Sequence, residues 1–430
     1  MKHSVEEITL KNGAKGLLIH VPDASVMTFE LNFRAGEYLV SRKKWETPHL
    51  MEHVLLGANE QYPKARVFQA EFEKNGAYSN ASTGTYDITY EAECADFEWD
   101  RVFGLLLTAI TKPLFLQEEF QAEAGNVREE LTARSNNHFR ELSLALREQY
   151  GFAVVRDQER LQLMDNVVLE DLRKHYERTH VSRNLRFVIS GKITASRCKT
   201  LEQHLENIGL PKGEGRFELP DETVRPLKKP LYIPNMTVDN LYFYIDTFAS
   251  RRLDDPETDS LSLINSMLTE TLYSRILGTA RERGLVYHMS SGLGQTKKTA
   301  NWWFGAQVMP ANAKALFDIM IDELTRVFNG DIAPDDLTAA KQYALGRYQR
   351  SGQTVSGTAS AYAYRYFFDG AIDDYYQVPK RIEAITKEGI IDVARLLFSE
   401  SLWGLGTLGN ANDEFIQQLY EQAAVLWQKP

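Results

Sequence analysis

Residues 72–111, FEKNGAYSNASTGTYDITYEAECADFEWDRVFGLLLTAIT, decide how this chain folds. Gly76 marks a turn, the run after it alternates apolar and polar residues as a half-buried strand does, and VFGLLLTAIT carries a helical apolar repeat. The same order returns at 281–325, RERGLVYHMSSGLGQTKKTANWWFGAQVMPANAKALFDIMIDELT. An acidic helix start follows each copy, Glu118-Glu119-Phe120 in the first and Asp335-Asp336-Leu337 in the second, and then a long helix. A diverged internal duplication accounts for the repetition. Strands and helices in this order predict an α+β fold of two homologous α/β sandwich domains.

The boundary lies in 211–230, PKGEGRFELPDETVRPLKKP, which is rich in Pro, Gly and charge and has no sustained apolar period. It places a first domain at 1–212, a linker at 213–230 and a second domain at 231–430. A chain of 430 residues is long for one core and suits two domains of about 200. The formal charge of −10 disfavours nucleic acid and anionic membrane surfaces as partners. No stretch of membrane-spanning length is apolar, and MKHSVEEITLKNG carries no signal-peptide run. Cys94 and Cys198 cannot build a disulfide framework, so a reducing, cytoplasmic setting is expected.

Working outward from the first repeat, His49-Leu50-Met51-Glu52-His53 follows Thr47-Pro48, which predicts a helix capped by Thr47 with Pro48 in its first turn. At about 100° per residue the two histidines and Glu52 share one face, while Leu50, Met51, Val54 and Leu55 fall opposite. Imidazoles at i and i+4 can hold one Zn²⁺, and a carboxylate between them can activate a water. The H-x-x-E-H order inverts the H-E-x-x-H of the better-known zinc helices. A catalytic zinc needs a third protein ligand. Segment 117–150 reads as one long helix interrupted only by Gly125, and within it Glu123 and Glu130 lie on the same face, with Glu129 turned away by roughly 100°.

With these residues in view, the chain resembles the pitrilysin/insulinase zinc peptidases, the inverzincins, in the short two-domain form of the mitochondrial processing peptidase subunits. Glu130 stands 77 residues after His53, the interval at which that family carries its distal glutamate ligand, and Glu123 matches a supporting glutamate one heptad earlier. ITLKNGAKGLLIHVP, FRAGEY, Asn80-Ala81-Ser82-Thr83 and DLRKHYERTHVSRNLRFVISGKI resemble further segments, so the likeness runs over nearly the whole chain.

The resemblance implies a zinc endopeptidase acting on peptides or unfolded polypeptides. His49, His53 and Glu130 would hold one zinc, Glu52 would serve as general base, and Glu123 would support a ligand histidine. Asn80 and Ala81 would bind substrate on a sheet edge, although the acid that follows, Asp87, is shifted by one residue. The second repeat has INSMLTETLYSRILG (264–278) where the zinc helix would stand, with no histidine pair, so only the first domain could hydrolyse. The family's second domain contributes an arginine and a tyrosine. Tyr287 matches the tyrosine, but the arginine's position is Ala280 and the nearest arginine is Arg281. The resemblance further implies a clamshell and a dimer, either of identical chains or with a paralogue. The competing reading is a non-catalytic partner or structural subunit on the same fold. A short lyase with an H-x-x-E-H-like motif and a cysteine ligand fits poorly, since Cys94 is badly placed for that role.

Overall fold

The computed structural model describes residues 1–428. Eleven strands form two sheets. The first holds β1 (Ser4–Thr9), β2 (Lys15–His20), β3 (Val26–Phe33), β4 (Tyr78–Thr83), β5 (Ile88–Ala95) and β6 (Leu185–Gly191), in the order β1-β2-β6-β3-β5-β4. The second holds β7 (Leu231–Pro234), β8 (Leu241–Ala249), β9 (Met289–Gln295), β10 (Ala300–Val308) and β11 (Trp403–Gly409), in the order β7-β11-β8-β10-β9. Apart from β1, the two orders are the same. The pairing sense also repeats: β2 with β6 and β7 with β11 are parallel, and all other neighbours are antiparallel.

The helices follow the same duplication. In the first half they are α1 (Thr47–Leu55), α2 (Ala65–Glu73), α3 (Trp99–Thr111), α4 (Gln117–Ser135), α5 (His138–Tyr150), α6 (Asp157–Leu163), α7 (Leu169–Thr179) and α8 (Ala195–Glu206). In the second they are α9 (Asp255–Asn265), which runs into a π-helical turn at Ser266–Glu270, then α10 (Leu277–Glu282), α11 (Pro310–Phe328), α12 (Pro334–Ser351), α13 (Val355–Asp369), α14 (Val378–Ala384), α15 (Lys387–Ser399) and α16 (Asp413–Ala424). Both halves are therefore mixed α+β, as the repeated sequence pattern predicts.

The first core is built from period-two strands. Ile88, Tyr90, Ala92 and Cys94 of β5 point inward, and β3 sets Phe29 opposite Ala92 and Leu31 opposite Tyr90. Val102, Phe103, Leu106 and Ile110 of α3 bury their stripe in the same cluster. Each large side chain fully buried in this way contributes about 1.5–3 kcal/mol. The second core repeats the layout with Trp302, Phe304 and Ala306 of β10 under Leu316, Phe317 and Met320 of α11.

The compact units interleave along the chain. One comprises Met1–Ala133, Asp157–Leu219 and Gln349–Tyr375, and the other Arg134–Arg156, Pro220–Tyr348 and Tyr376 onward. Helix α5 accordingly belongs to the second unit, where Leu142, Leu146 and Tyr150 cover Tyr244, Phe248 and Leu408. Helix α13 belongs to the first, where Tyr366 donates to Glu7 at 3.0 Å. The two exchanged helices end alike, on left-handed Gly151 and Gly370, positions a side chain would strain. Residues 213–230 carry no helix or strand.

Two local expectations are corrected. Segment 117–150 is two helices, and the break is not at Gly125, which stays helical. It falls at Asn136-Asn137, where the Asn137 side chain accepts from the Arg140 amide at 3.0 Å and so starts α5 afresh. Thr47 is not the cap of α1 but its first residue. The cap position is Glu46, whose side chain is drawn away to His49 and Arg160.

Candidate metal centre

Helix α1 is fixed from behind. Leu50, Met51, Val54 and Leu55 are buried in the first core, which leaves His49, Glu52 and His53 on the opposite face. Helix α4 is anchored by Phe120, Val127 and Leu131, and this turns Glu123 and Glu130 toward α1. Glu129 is exposed and outside the cluster.

The histidines are oriented by carboxylates. His49 Nδ1 lies 3.1 Å from Glu46 Oε2, and His53 Nδ1 lies 3.0 Å from Glu123 Oε2. A carboxylate at Nδ1 places the ring proton there and leaves the Nε2 lone pair free. Both Nε2 atoms face one oxygen, Glu130 Oε2, at 3.3 Å from His49 and 3.6 Å from His53. These separations exceed an ordinary hydrogen bond. They fit ligands about 2.0–2.1 Å from a common tetrahedral zinc, whose donor atoms stand roughly 3.3–3.4 Å apart. Among the described residues, His49, His53 and Glu130 form the one group of three such side chains close enough to hold a metal ion.

Charge supports this arrangement. Burial drives the His53 imidazolium down, but Glu123 and Glu130 outweigh it and hold the metal-free ring at about 9. His49 is likewise raised, with burial opposed by Glu130 and Glu46. The site thus attracts a cation, and a metal ion would have to displace protons to enter. Glu46 is fully enclosed; burial pushes it up, but His49 and Arg160 bring it down to about 2. Arg160, from α6, grips it through Nε to Oε1 and through Nη2 to Oε2 at 3.0 Å.

Glu52 is nearly buried, and its Oε2 accepts from Thr83 Oγ1 at 2.6 Å. Thr83 ends β4, an edge strand that pairs only with β5. Asn80 and Ala81 lie on that same edge: Ala81 is buried, and Asn80 donates to Glu91 at 3.3 Å. Asp87 accepts from Asn32 at 3.0 Å. In the second unit Arg281 and Tyr287 come together. The guanidinium sits 4.9 Å over the Tyr287 ring and donates to its carbonyl, and the ring itself is exposed. Sequence reasoning missed Glu46, Arg160 and Thr83. Glu46 was detectable as an acid three residues before His49 on the same helical end; Arg160 leaves no local signal.

Two family models match. Residues 17–158 fit the description "Insulinase (Peptidase family M16)" and residues 166–343 fit "Peptidase M16 inactive domain", which together span most of the chain. The chain belongs to the insulinase family, M16. Its similarity to solved structures is high in shape and low in sequence. A protease from Helicobacter pylori aligns with TM-score 0.81 and 17% identity over 95% of this chain and 100% of its own. A structure described as the peptidase M16 inactive domain from Pseudomonas fluorescens aligns with TM-score 0.82 and 16% identity over 95% and 99%. These two show the two-domain fold. An Arabidopsis thaliana protein, insulin-degrading enzyme-like 2, is 28% identical over 89 residues, which is 21% of this chain and 9% of that relative. In this M16 chain the segment matching the inactive-domain description ends within α12, and no metal-holding group of three occurs there among the described residues.

Proposed function

We propose that this chain is a zinc-dependent endopeptidase that cleaves peptides or unfolded polypeptides, with the metal held by His49, His53 and Glu130. The observation that carries the reading is the convergence of two carboxylate-oriented Nε2 atoms on Glu130 Oε2. A bound zinc would act as a Lewis acid toward a peptide carbonyl and lower the pKa of water at its open position. Glu52 takes the proton from the attacking water at Oε1 and passes it to the leaving amine, since Thr83 already engages Oε2. Glu46 and Glu123 keep the two Nδ1 protons in place, which fixes the rings. The edge of β4 at Asn80 and Ala81 offers backbone groups to an extended chain.

The inactive-domain description applies to residues 166–343 and does not reach His49, Glu52, His53 or Glu130, so the catalytic reading is preferred over a non-catalytic subunit. No described helix is long and apolar enough to cross a membrane. The two cysteines are free, and burial pushes Cys94 up to about 12 and Cys198 to about 11. A cytoplasmic setting and pairing of two chains, identical or paralogous, complete the proposal. The test is digestion of a mixed peptide library by zinc-loaded protein, read by mass spectrometry beside Glu52→Gln. Cleavage by the wild type, with one zinc per chain in both proteins and none of the cleavage in the variant, is the expected result. Equal cleavage by the variant removes Glu52 from the role, and an uncleaved library with zinc bound favours the non-catalytic subunit.

A further inference from the structure

Setting Asp335-Asp336-Leu337 against Glu118-Glu119-Phe120 places Ala340 and Arg347 of α12 opposite Glu123 and Glu130 of α4. In the second unit the two carboxylates that face the histidines are thus replaced by a methyl group and a guanidinium. Arg347 pairs with Glu270 from the π-helical turn, and Asn265 donates to the same carboxylate at 3.0 Å. A built-in cation stands in this repeat where the first repeat has a place for a metal ion. The small Ala340 leaves room beside it.

That room is a cavity of about 290 Å³ between α12 and residues 266–275. Met267, Ala339, Ala340 and Tyr343 give it an apolar lining, and the exposed Leu272 lies beside Tyr273, which is also exposed and lines it. Arg275 forms part of the wall. Its Nε donates to Glu323, its Nη1 donates to the Asp331 carbonyl at 3.0 Å, and Asp336 lies 3.7 Å from Nη1. Nη2 is buried without an acceptor among the described residues. A buried donor left unmade costs about 1–3 kcal/mol, so an acceptor brought by a ligand is favoured there.

We propose that this cavity binds one large apolar side chain of a peptide, with a neighbouring main-chain carbonyl accepting from Arg275 Nη2. Volume and charge both select this occupant. Ligand pockets for whole drug-sized molecules begin near 300 Å³, so this space suits about one residue. The guanidinium charge is already met by Glu323 and Asp336, so a neutral acceptor fits better than an anion. The inference rests on the peptidase reading only in choosing a peptide as the occupant, and it adds a second, non-catalytic point of substrate contact.

The test uses full-length Glu52→Gln protein carrying 13C-methyl methionine, so binding is read without hydrolysis. Met267, assigned by substitution, is the reporter among the nine methionines. N-acetyl-phenylalanine-N-methylamide should shift the Met267 signal with a dissociation constant on the order of a millimolar. N-acetyl-glycine-N-methylamide should bind at least tenfold more weakly, and so should decanoate, which is apolar but anionic. Ala339→Phe should reduce binding of the phenylalanine probe at least tenfold. Ala339 is half-exposed, so the added ring fills the mouth without entering the core. Failure of the phenylalanine probe to shift Met267, decanoate binding as tightly, or unchanged binding in Ala339→Phe would each overturn the assignment. None of these outcomes bears on whether the zinc site hydrolyses peptides.

Discussion

Replacing Arg160 with methionine tests the buried charge cluster that holds the metal-side helix in place. The guanidinium is 8% exposed and serves three carboxylates: Glu46 through two hydrogen bonds, Glu37 at 3.2 Å and Asp157 at 3.7 Å, with exposures of 0%, 10% and 4%. Methionine keeps much of the stem's packing and removes the cation the three carboxylates share. Breaking a buried pair from one side costs about 3–5 kcal/mol, because the stranded charge stays buried. In a unit of this size each kcal/mol moves the melting temperature by about 2–4 °C, so the metal-free variant should melt roughly 6–20 °C lower at pH 7.5. The pH dependence separates charge from packing. Burial already raises Glu37 above the usual carboxylate range, against Arg160 and His49. Without Arg160 that rise grows, and a carboxyl whose folded pKa is raised contributes stability at low pH that is lost as pH rises. The gap between wild type and variant should therefore narrow from pH 7.5 to pH 5. Thermal unfolding by circular dichroism of metal-free protein at both pH values measures it. A gap below about 1 kcal/mol, or one of equal size at both pH values, would refute the reasoning.

Four other outcomes are expected. Glu123→Gln should weaken zinc binding about 10–100-fold in chelator competition, since His53 loses the carboxylate that orients it. Thr83→Val should keep full zinc stoichiometry while kcat falls about tenfold, because the lost bond orients Glu52 without touching the metal ligands. Burial holds Asp246 of β8 up at about 7 from an ordinary 3.8, despite a 2.7 Å bond from Asn301. The wild type should thus lose stability as pH rises through that window, and Asp246→Asn should be more stable by about 2–4 kcal/mol above it in urea unfolding. Leu146→Ala should cost about 2–5 kcal/mol, read in the second unit, where α5 packs on β8 and β11.

The strands and helices were legible because their periodicities are local. β5 alternates without a fault, and α1 divides cleanly into an apolar and a polar face. The metal face was legible for the same reason, since His49, Glu52 and His53 fall within one turn and a half. Glu130 was different: helical geometry left it level with Glu123, and only the family interval separated their roles. The structure divides them physically, with Glu130 facing both Nε2 atoms and Glu123 holding the His53 Nδ1. Arg160 was invisible because it meets Glu46 across 114 residues of sequence. The exchange of α5 and α13 was equally hidden. An amphipathic helix announces that it will be covered, but nothing in its pattern says which sheet will cover it.

The duplication explains how the second repeat can lack counterparts of His49, His53 and Glu130 and still keep the fold. Both repeats keep the same strand order, and in both the helix that carries or once matched the ligands stays anchored by its apolar residues, Phe120, Val127 and Leu131 in α4 and Ala340 with Leu337 in α12. A cluster of carboxylates facing one buried and one half-buried imidazole favours a cation, supplied by protons or a metal ion, as the raised His53 shows. In the second repeat Arg347 brings that cation on the chain itself and pairs it with Glu270. Charge there is balanced by the chain's own guanidinium, and the second unit keeps its fold with Ala340 and Arg347 at the positions that match Glu123 and Glu130. Reversing the exchange with Arg347→Glu would set two carboxylates, Glu270 and the new one, against each other. The variant should lose stability at neutral pH and regain part of it on acidification or on adding Zn²⁺. Thermal unfolding with and without Zn²⁺ checks this, and a variant as stable as the wild type in metal-free buffer at neutral pH would show that Arg347 has no such balancing role.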